Sequence, residues 1–161
     1  MLKLKLQGGQ ELIAAMRDKP STLLSVLSVK LNALMIMLSR YVVAEKLSGQ
    51  VLKRQTGKLA ASVHHVPASI EGTKVSGFVE AAGPGAPYGT VHEHGGERAY
   101  EIAAVNRKAL HFVMGGREVW LRRVTHPAAV ARPFMSTSLE ENKSEIVSQL
   151  QDALTEALKR K

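Results

Sequence analysis

Apolar residues are densest between residues 21 and 48, where they occupy nearly every face of a helix, and Gly49 follows as a natural helix end. The pattern predicts a helix over 21–48. The length also suits a membrane span, but Lys30, Asn32 and Arg40 lie inside the stretch and argue against one. The sequence therefore favours a helix that is covered by protein.

A helix that is apolar all round has to be buried on most of its sides, and a chain of 161 residues can hardly cover such a helix alone. We therefore expect neighbouring subunits to cover part of it. The residues expected at this subunit interface are Leu34, Ile36 and Leu38.

A second periodic segment ends the chain, from Pro133 to Lys159, and it predicts an amphipathic helix with one apolar stripe. At the other end, residues 2–6 alternate leucine with lysine and predict a short strand, and residues 10–17 predict a short helix. The alternating start is not typical of a signal peptide.

Between the two long helices the pattern changes to one of short strands. Runs over 59–68 and 74–82, separated by Glu71-Gly72-Thr73, predict a β-hairpin. Further strands are expected over 100–105, 109–114 and 118–125, with a tight turn at Gly115-Gly116 and one helical turn within 88–96.

These elements predict an α+β fold, in which a long N-terminal helix and a C-terminal helix pack on a small, mainly antiparallel β-sheet. We expect a single domain over residues 1–161. Its parts are a helical region 8–48, a β-rich region 59–125 and the C-terminal helix 133–159.

Composition adds a charge asymmetry. The net charge is +8, and residues 1–60 carry 10 Lys or Arg against 3 Asp or Glu, a balance of +7. A basic half indicates contact with something anionic, and a nucleic-acid backbone is the usual candidate. Lys53, Arg54 and Lys58 are the residues most suited to meet phosphates, although solvated surface charge explains each of them singly.

Candidate chemistry is weak. Cysteine is absent, which removes disulfides and thiolate ligands and fits a reducing compartment. His92-Glu93-His94 is the most metal-like motif, but it lacks the four-residue histidine spacing of a helical zinc site. We expect no catalytic residue, no metal and no cofactor, and hence no enzyme.

The order of several short motifs is more informative than any one of them. Thr56-Gly57-Lys58-Leu59-Ala60-Ala61-Ser62 follows the long helix, Tyr88 and Glu93-His94-Gly95 follow the hairpin, and Arg132-Pro133-Phe134 precedes the last helix. This order resembles that of the tail-completion (minor tail, neck) proteins of long-tailed bacteriophages, the family related to the minor tail protein Z of phage lambda. Their pattern runs helix, TG-x-L-x-x-S, strands, Y-A-x-x-x-E-x-G, strands, RPF, helix.

The resemblance covers about residues 5–155, with Gly89 standing where the family has alanine. It marks ten residues as fold determinants of the family: Thr56, Gly57, Leu59, Ser62, Tyr88, Glu93, Gly95, Arg132, Pro133 and Phe134. Glu93 is expected to form an ion pair with Arg132.

The resemblance implies a structural virion protein that completes or joins the tail at the head–tail interface. It implies a sixfold ring of identical subunits around a DNA channel, made in the cytoplasm of the bacterial host. The other implied partners are head-closure or connector proteins, tail-terminator or tail-tube proteins and packaged DNA, which would be held by non-specific electrostatics; no membrane is involved.

Two alternatives stay open. The chain can be a tail-terminator or head-closure ring protein of the same particle, which would have similar size and charge. It can also be a free basic nucleic-acid-binding module, which would bind DNA or RNA in a salt-dependent way as an isolated subunit.

Overall fold

The structure is a computed structural model that describes residues 20–52, 56–81, 86–96 and 98–159. Its first helix, α1, runs from Pro20 to Tyr41 and continues as a π-helical turn, Val42–Lys46. The prediction of a helix over 21–48 is confirmed to within two residues at its end. The strand predicted over 2–6 and the helix predicted over 10–17 lie outside the described residues.

The chain, predicted as a single domain, divides into two compact units. The helix–hairpin unit comprises Met1–Gly89 and Pro133–Lys161, and the ribbon unit comprises Thr90–Arg132.

One face of α1 is buried although its sequence is apolar all round. Leu27, Leu31, Leu34 and Leu38 follow one another at steps of three and four residues, and each is at most 6% exposed. Val29, on another face, is 73% exposed. Tertiary packing therefore selects a face that the sequence pattern does not distinguish.

The predicted β-hairpin is confirmed. Strands β1 (Val63–Glu71) and β2 (Lys74–Ala81) pair antiparallel, and Gly72 at the turn has a φ of 61°. The register shifts between Val66 and Ser69, where Pro67 removes a backbone donor from the ladder. Both strands pack against α1.

The stretch before β1 corrects the predicted strand. Residues Lys58–Ser62 form a short helix, α2, instead of the first part of a strand over 59–68. Gly57, with a φ of 73°, starts the turn, and the hydroxyl of Ser62 donates to the Leu59 carbonyl 2.8 Å away. These local bonds favour a helical turn over an extended strand.

Residues Gly89–His94 form a short helix, α3, and the last helix, α4, runs from Met135 to Lys159. Helix α4 packs against α1, and its Ile146 and Leu150 are fully buried, as the apolar stripe predicted. Ser138, a polar residue, is also buried on this helix. Its hydroxyl donates to the Phe134 carbonyl at 2.6 Å, so that its burial leaves no unpaired hydroxyl proton.

The described residues of the ribbon unit form four strands, β3 (Tyr100–Ala103), β4 (Leu110–Met114), β5 (Arg117–Leu121) and β6 (Arg123–His126). Strand β3 pairs with β6, and β4 pairs with β5 through a turn at Gly115 and Gly116, whose φ angles of 59° and 78° suit a tight hairpin turn. The N–H of Ala104 donates to the Arg122 carbonyl at 3.0 Å and extends the first ladder towards the second.

The fold class is confirmed as α+β, with long helices near both ends of the chain and antiparallel strands between them. The strands form three separate two-stranded ladders in the described part of the chain instead of one sheet. The strand predicted over 118–125 is interrupted at Arg122 and contributes to two of these ladders.

Candidate assembly surface

The Thr56–Ser62 motif forms a compact turn. Gly57 adopts the left-handed conformation, which a residue with a side chain rarely does, and the N–H of Lys58 donates to the Thr56 hydroxyl at 3.4 Å. Ser62 was expected on the following strand, and it lies instead at the end of α2. Each of these residues has a local role in turning the chain between α1 and the hairpin.

Leu59 connects this motif with the next one. It is buried in the core of the helix–hairpin unit, and a Cβ atom at Gly89 would lie 3.1 Å from its Cδ1 atom. The close approach gives a reason for glycine at this position, because a methyl group would require Leu59 to move. Tyr88, just before it, is 38% exposed.

Gly95 and Arg132 lie close together inside the ribbon unit. Gly95 ends α3 with a φ of 81°, and a Cβ atom there would lie 2.9 Å from the Ala129 carbonyl oxygen. The Arg132 N–H donates to the His92 carbonyl at 2.7 Å. The backbone of Arg132 is thus hydrogen-bonded to the helix that carries Glu93. The Glu93 side chain is half-buried, and its ion pair with Arg132 stays a prediction.

Phe134 anchors the start of α4. Its side chain is 1% exposed and belongs to the same core cluster as Leu59 and Leu38. Pro133 directly before it is exposed. An aromatic side chain at this position ties the last helix to the centre of the unit.

For two of the three residues expected at a subunit interface, the burial of α1 corrects the prediction. Leu34 and Leu38 are 2% and 1% exposed and lie in the core of one chain, because the hairpin and α4 cover that face of the helix. They are therefore inaccessible to a neighbouring subunit. Ile36 is half-buried.

By length and composition alone, Ser21–Lys46 could cross a membrane. A core helix passes the same test, and this helix contributes Leu31, Leu34 and Leu38 to the core.

Of the three expected phosphate contacts, Lys58 is exposed at the first position of α2, while Lys53 and Arg54 lie outside the described residues. Their grouping therefore stays a prediction from the sequence.

A polar cluster that the sequence did not indicate joins α1 to α4. The Lys46 ammonium, with its side chain 11% exposed, lies 2.6 Å from one Glu141 oxygen, and the Tyr41 hydroxyl donates to Glu141 at 2.9 Å. The hydrogen bonds from Lys46 and then from Tyr41 hold the pKa of Glu141 below its ordinary value. The pKa of Tyr41 is raised, mainly by its hydrogen bond to Glu141 and secondly by desolvation. The only sequence signal for this cluster was a lysine in the last turn of an apolar helix.

The β ribbon is defined as Tyr100–His126, and its strands were predicted from the sequence but its exposure was not. Of the described residues between Thr90 and Arg132, none is buried. Large apolar side chains of the ribbon are open to solvent, among them Met114 at 66% and Trp120 at 62%. Isolated apolar residues are normal on a surface, whereas neighbouring exposed apolar residues are typical of interaction sites.

The two faces of the ribbon tip differ. Alternation along β4 and β5 and their register place five apolar residues on one face, called here the apolar face: Leu110, Phe112, Met114, Val119 and Leu121. Arg117, opposite Met114 at the turn, is the charged residue of this face. On the other face, His111 stacks on Trp120 with the ring centroids 4.1 Å apart, and its Nε2 atom lies 3.8 Å from a Glu118 oxygen.

An open groove of about 380 Å³ lies between α1 and α4 in the helix–hairpin unit. Most of its lining residues are small or apolar: Ser25, Val26, Val29, Lys30, Ala33, Ala153, Glu156 and Ala157. The groove is called here the α1–α4 groove.

His92 and His94 lie on α3, and among the described residues no group of three His, Asp or Glu side chains is placed to hold a metal ion.

No family model matches this chain, and no curated protein or solved structure is significantly similar to it. The likeness to the phage tail-completion family therefore rests on the short motifs and their order.

Proposed function

We propose that this chain is a structural subunit of the neck of a long-tailed bacteriophage, where copies form a sixfold ring that completes the tail at the head–tail interface. The role is one of assembly and not of catalysis. The order of the motifs supports the family, and the backbone roles of Gly57 and Gly95 give two of those motifs a physical purpose.

The observation that carries an assembly role is the ribbon unit. No side chain is buried among its described residues, while Met114 and Trp120 are mostly exposed. A two-stranded ribbon gains little stability from its own packing, so burial against other molecules is its main source of order. A protein that assembles into a larger particle exposes apolar surface of this kind before it assembles.

The proposed neighbours are identical subunits, head-closure or connector proteins, and tail-terminator or tail-tube proteins, in a virion assembled in the bacterial cytoplasm. The basic segment with Lys53, Arg54 and Lys58 would face the DNA channel. Charges lining a channel hold DNA electrostatically and without reading its sequence.

Deleting the gene from the phage that encodes this chain tests the proposal. We expect full heads and tails of normal length that fail to join, visible by electron microscopy, and restoration of joined particles when the chain is supplied in trans. Normal infectious particles from the deletion would overturn the proposal. Tails of unregulated length would instead identify a tail terminator, and heads that lose their DNA would identify a head-closure protein.

The channel contact has its own test. Reversing Lys53, Arg54 and Lys58 to glutamate is expected to leave folding intact; Lys58 is exposed at the first position of α2, where glutamate is favourable. The same charge change at Arg40, Lys74 and Arg98, all exposed, is the matched control. Loss of packaged DNA or of infectivity in the first variant alone supports the contact, and equal particles from both variants contradict it.

A free nucleic-acid-binding module is the second candidate, because the ribbon carries five Lys or Arg residues and two Glu. A two-stranded ribbon fits the major groove of duplex DNA. Strong, salt-dependent binding of duplex DNA by the purified subunit, without association with virion proteins, would favour this candidate.

A further inference from the structure

We propose that the apolar face of the β ribbon of one subunit docks into the α1–α4 groove of the next copy, and that this head-to-tail contact builds the ring. The inference rests on the proposed function for the ring itself, and the contact can be tested in purified protein.

The two surfaces fit in the size of their residues. The apolar face presents long side chains, with Phe112 and Met114 near the tip. The groove presents Ala33, Ala153 and Ala157, whose short side chains leave an open volume of about 380 Å³. Long apolar side chains that enter an open groove bury apolar surface on both partners.

The two surfaces also fit in charge. The ribbon has five Lys or Arg residues and two Glu, a balance of +3. Helix α4 has three carboxylates and no Lys or Arg between Glu145 and Glu156, and Lys30 on the α1 side of the groove leaves a balance of −2 there. A ribbon from a second copy therefore meets charge of opposite sign beside the groove, whereas two ribbons packed together would bring like charges close.

A contact between two different surfaces of the same chain is heterologous. Repeating such a contact gives a closed ring when the rotation between neighbours closes, and a filament when it does not. The occupant of the groove is thus a second copy of this chain, placed in the geometry that the proposed ring requires.

Met114 and Val113 provide a matched pair of variants on the ribbon. They are neighbours, 66% and 65% exposed, and their side chains point to opposite faces of the same strand. Sedimentation velocity of the purified chain over a range of concentrations is expected to show ring-sized oligomers. Met114→Glu should raise the dissociation constant by about 30-fold or more, as loss of an interface anchor does, while Val113→Glu should leave it within a few-fold.

Val29 and Val130 provide the matched pair for the groove. Val29 lines the groove and is 73% exposed, and Val130 lies outside both the ribbon and the groove and is 78% exposed. Val29→Glu should weaken association as Met114→Glu does, and Val130→Glu should not. The circular dichroism spectrum should be unchanged in all four variants, because each residue replaced is exposed. The thermal midpoint should be unchanged when it is measured at concentrations low enough to keep every variant monomeric, since association itself raises the midpoint.

The chain contains no cysteine, so introduced thiols can react only with each other. Met114→Cys and Ala153→Cys chains, purified separately, mixed and oxidised, should give a disulfide-linked pair of one chain of each kind. Val113→Cys in place of Met114→Cys should give far less of it. A double variant that cross-links only within one chain would show that the ribbon covers its own groove and would overturn the proposal.

The remaining outcomes also decide the question. A wild-type chain that stays monomeric, or equal effects of Met114→Glu and Val113→Glu, would overturn the docking. A ribbon that binds duplex DNA without forming oligomers would overturn it in favour of nucleic-acid binding. If the contact forms but the phage assembles normally without this gene, the docking stands and the proposed function fails. If the phage needs the gene but tolerates Met114→Glu, the proposed function stands and the docking fails.

Discussion

Replacing Leu38 with alanine separates a core role from an interface role for α1. The Leu38 side chain is 1% exposed and belongs to the core cluster between α1, the hairpin and α4. Truncation of such a leucine loses the transfer free energy of the removed carbons and leaves a cavity, at a cost of about 2–5 kcal/mol. Because single domains are stable by only about 5–15 kcal/mol, this is a large fraction of the total.

In a chain of this size, each kcal/mol changes the melting temperature by about 2–4 °C, so Leu38→Ala should lower it by about 4–20 °C. Unfolding followed by circular dichroism in heat and in urea, at two protein concentrations, measures the change and separates unfolding from dissociation. Val29→Ala is the control on the same helix: Val29 is 73% exposed, and its truncation should change the free energy of unfolding by less than about 0.5 kcal/mol.

A different result would refute this reasoning. If Leu38→Ala weakens association between subunits but leaves the unfolding free energy of the monomer within about 1 kcal/mol of wild type, then Leu38 faces a neighbour and the packing of α1 described here is wrong.

Three further predictions address other contacts. Glu141 has a pKa below its ordinary value of 4.5 because Lys46 donates a hydrogen bond to its carboxylate. The stabilisation from this carboxylate is therefore present above pH 4.5 and is lost as the pH falls through the lowered pKa. Glu141→Gln should lower the melting temperature at about pH 7 and much less in strong acid. Gly95→Ala should destabilise the ribbon unit by about 1–2 kcal/mol because of the left-handed backbone, and by more because the new Cβ atom approaches the Ala129 carbonyl. In hydrogen exchange, amides of the ribbon unit should then exchange about tenfold faster or more. Phe134→Ala should cost about 3–5 kcal/mol in urea unfolding, and a loss below about 1 kcal/mol would show that α4 is not anchored there.

Local pattern predicted the regular elements well. Both long helices, the hairpin with its turn at Gly72 and the tight turn at Gly115 and Gly116 follow from periodicity and from glycine placement, because these signals act over a few neighbouring residues. The short helix α2 was missed, since an apolar run next to a strand reads as part of that strand.

The motif residues were predicted as fold determinants, and the structure gives several of them a local reason, such as the positive φ of Gly57 and the close approach at Gly95. The strands of the ribbon were predicted, but the exposure of the ribbon and the α1–α4 groove were not. Nothing in a run of short strands says that it will have no core beneath it, because that depends on which other elements lie against it.

The sequence by itself determined which segments are helical, where the chain turns, that its first part is basic and that α1 carries more apolar surface than one face can bury. Only the tertiary structure decided which face that is: Leu34 and Leu38 lie inside, Val29 lies outside and Lys46 meets Glu141. The physical reason is range. Helix and turn formation depend on neighbours a few residues away, whereas burial depends on contacts between segments about a hundred residues apart, as in the Tyr41–Glu141 hydrogen bond with its separation of 100.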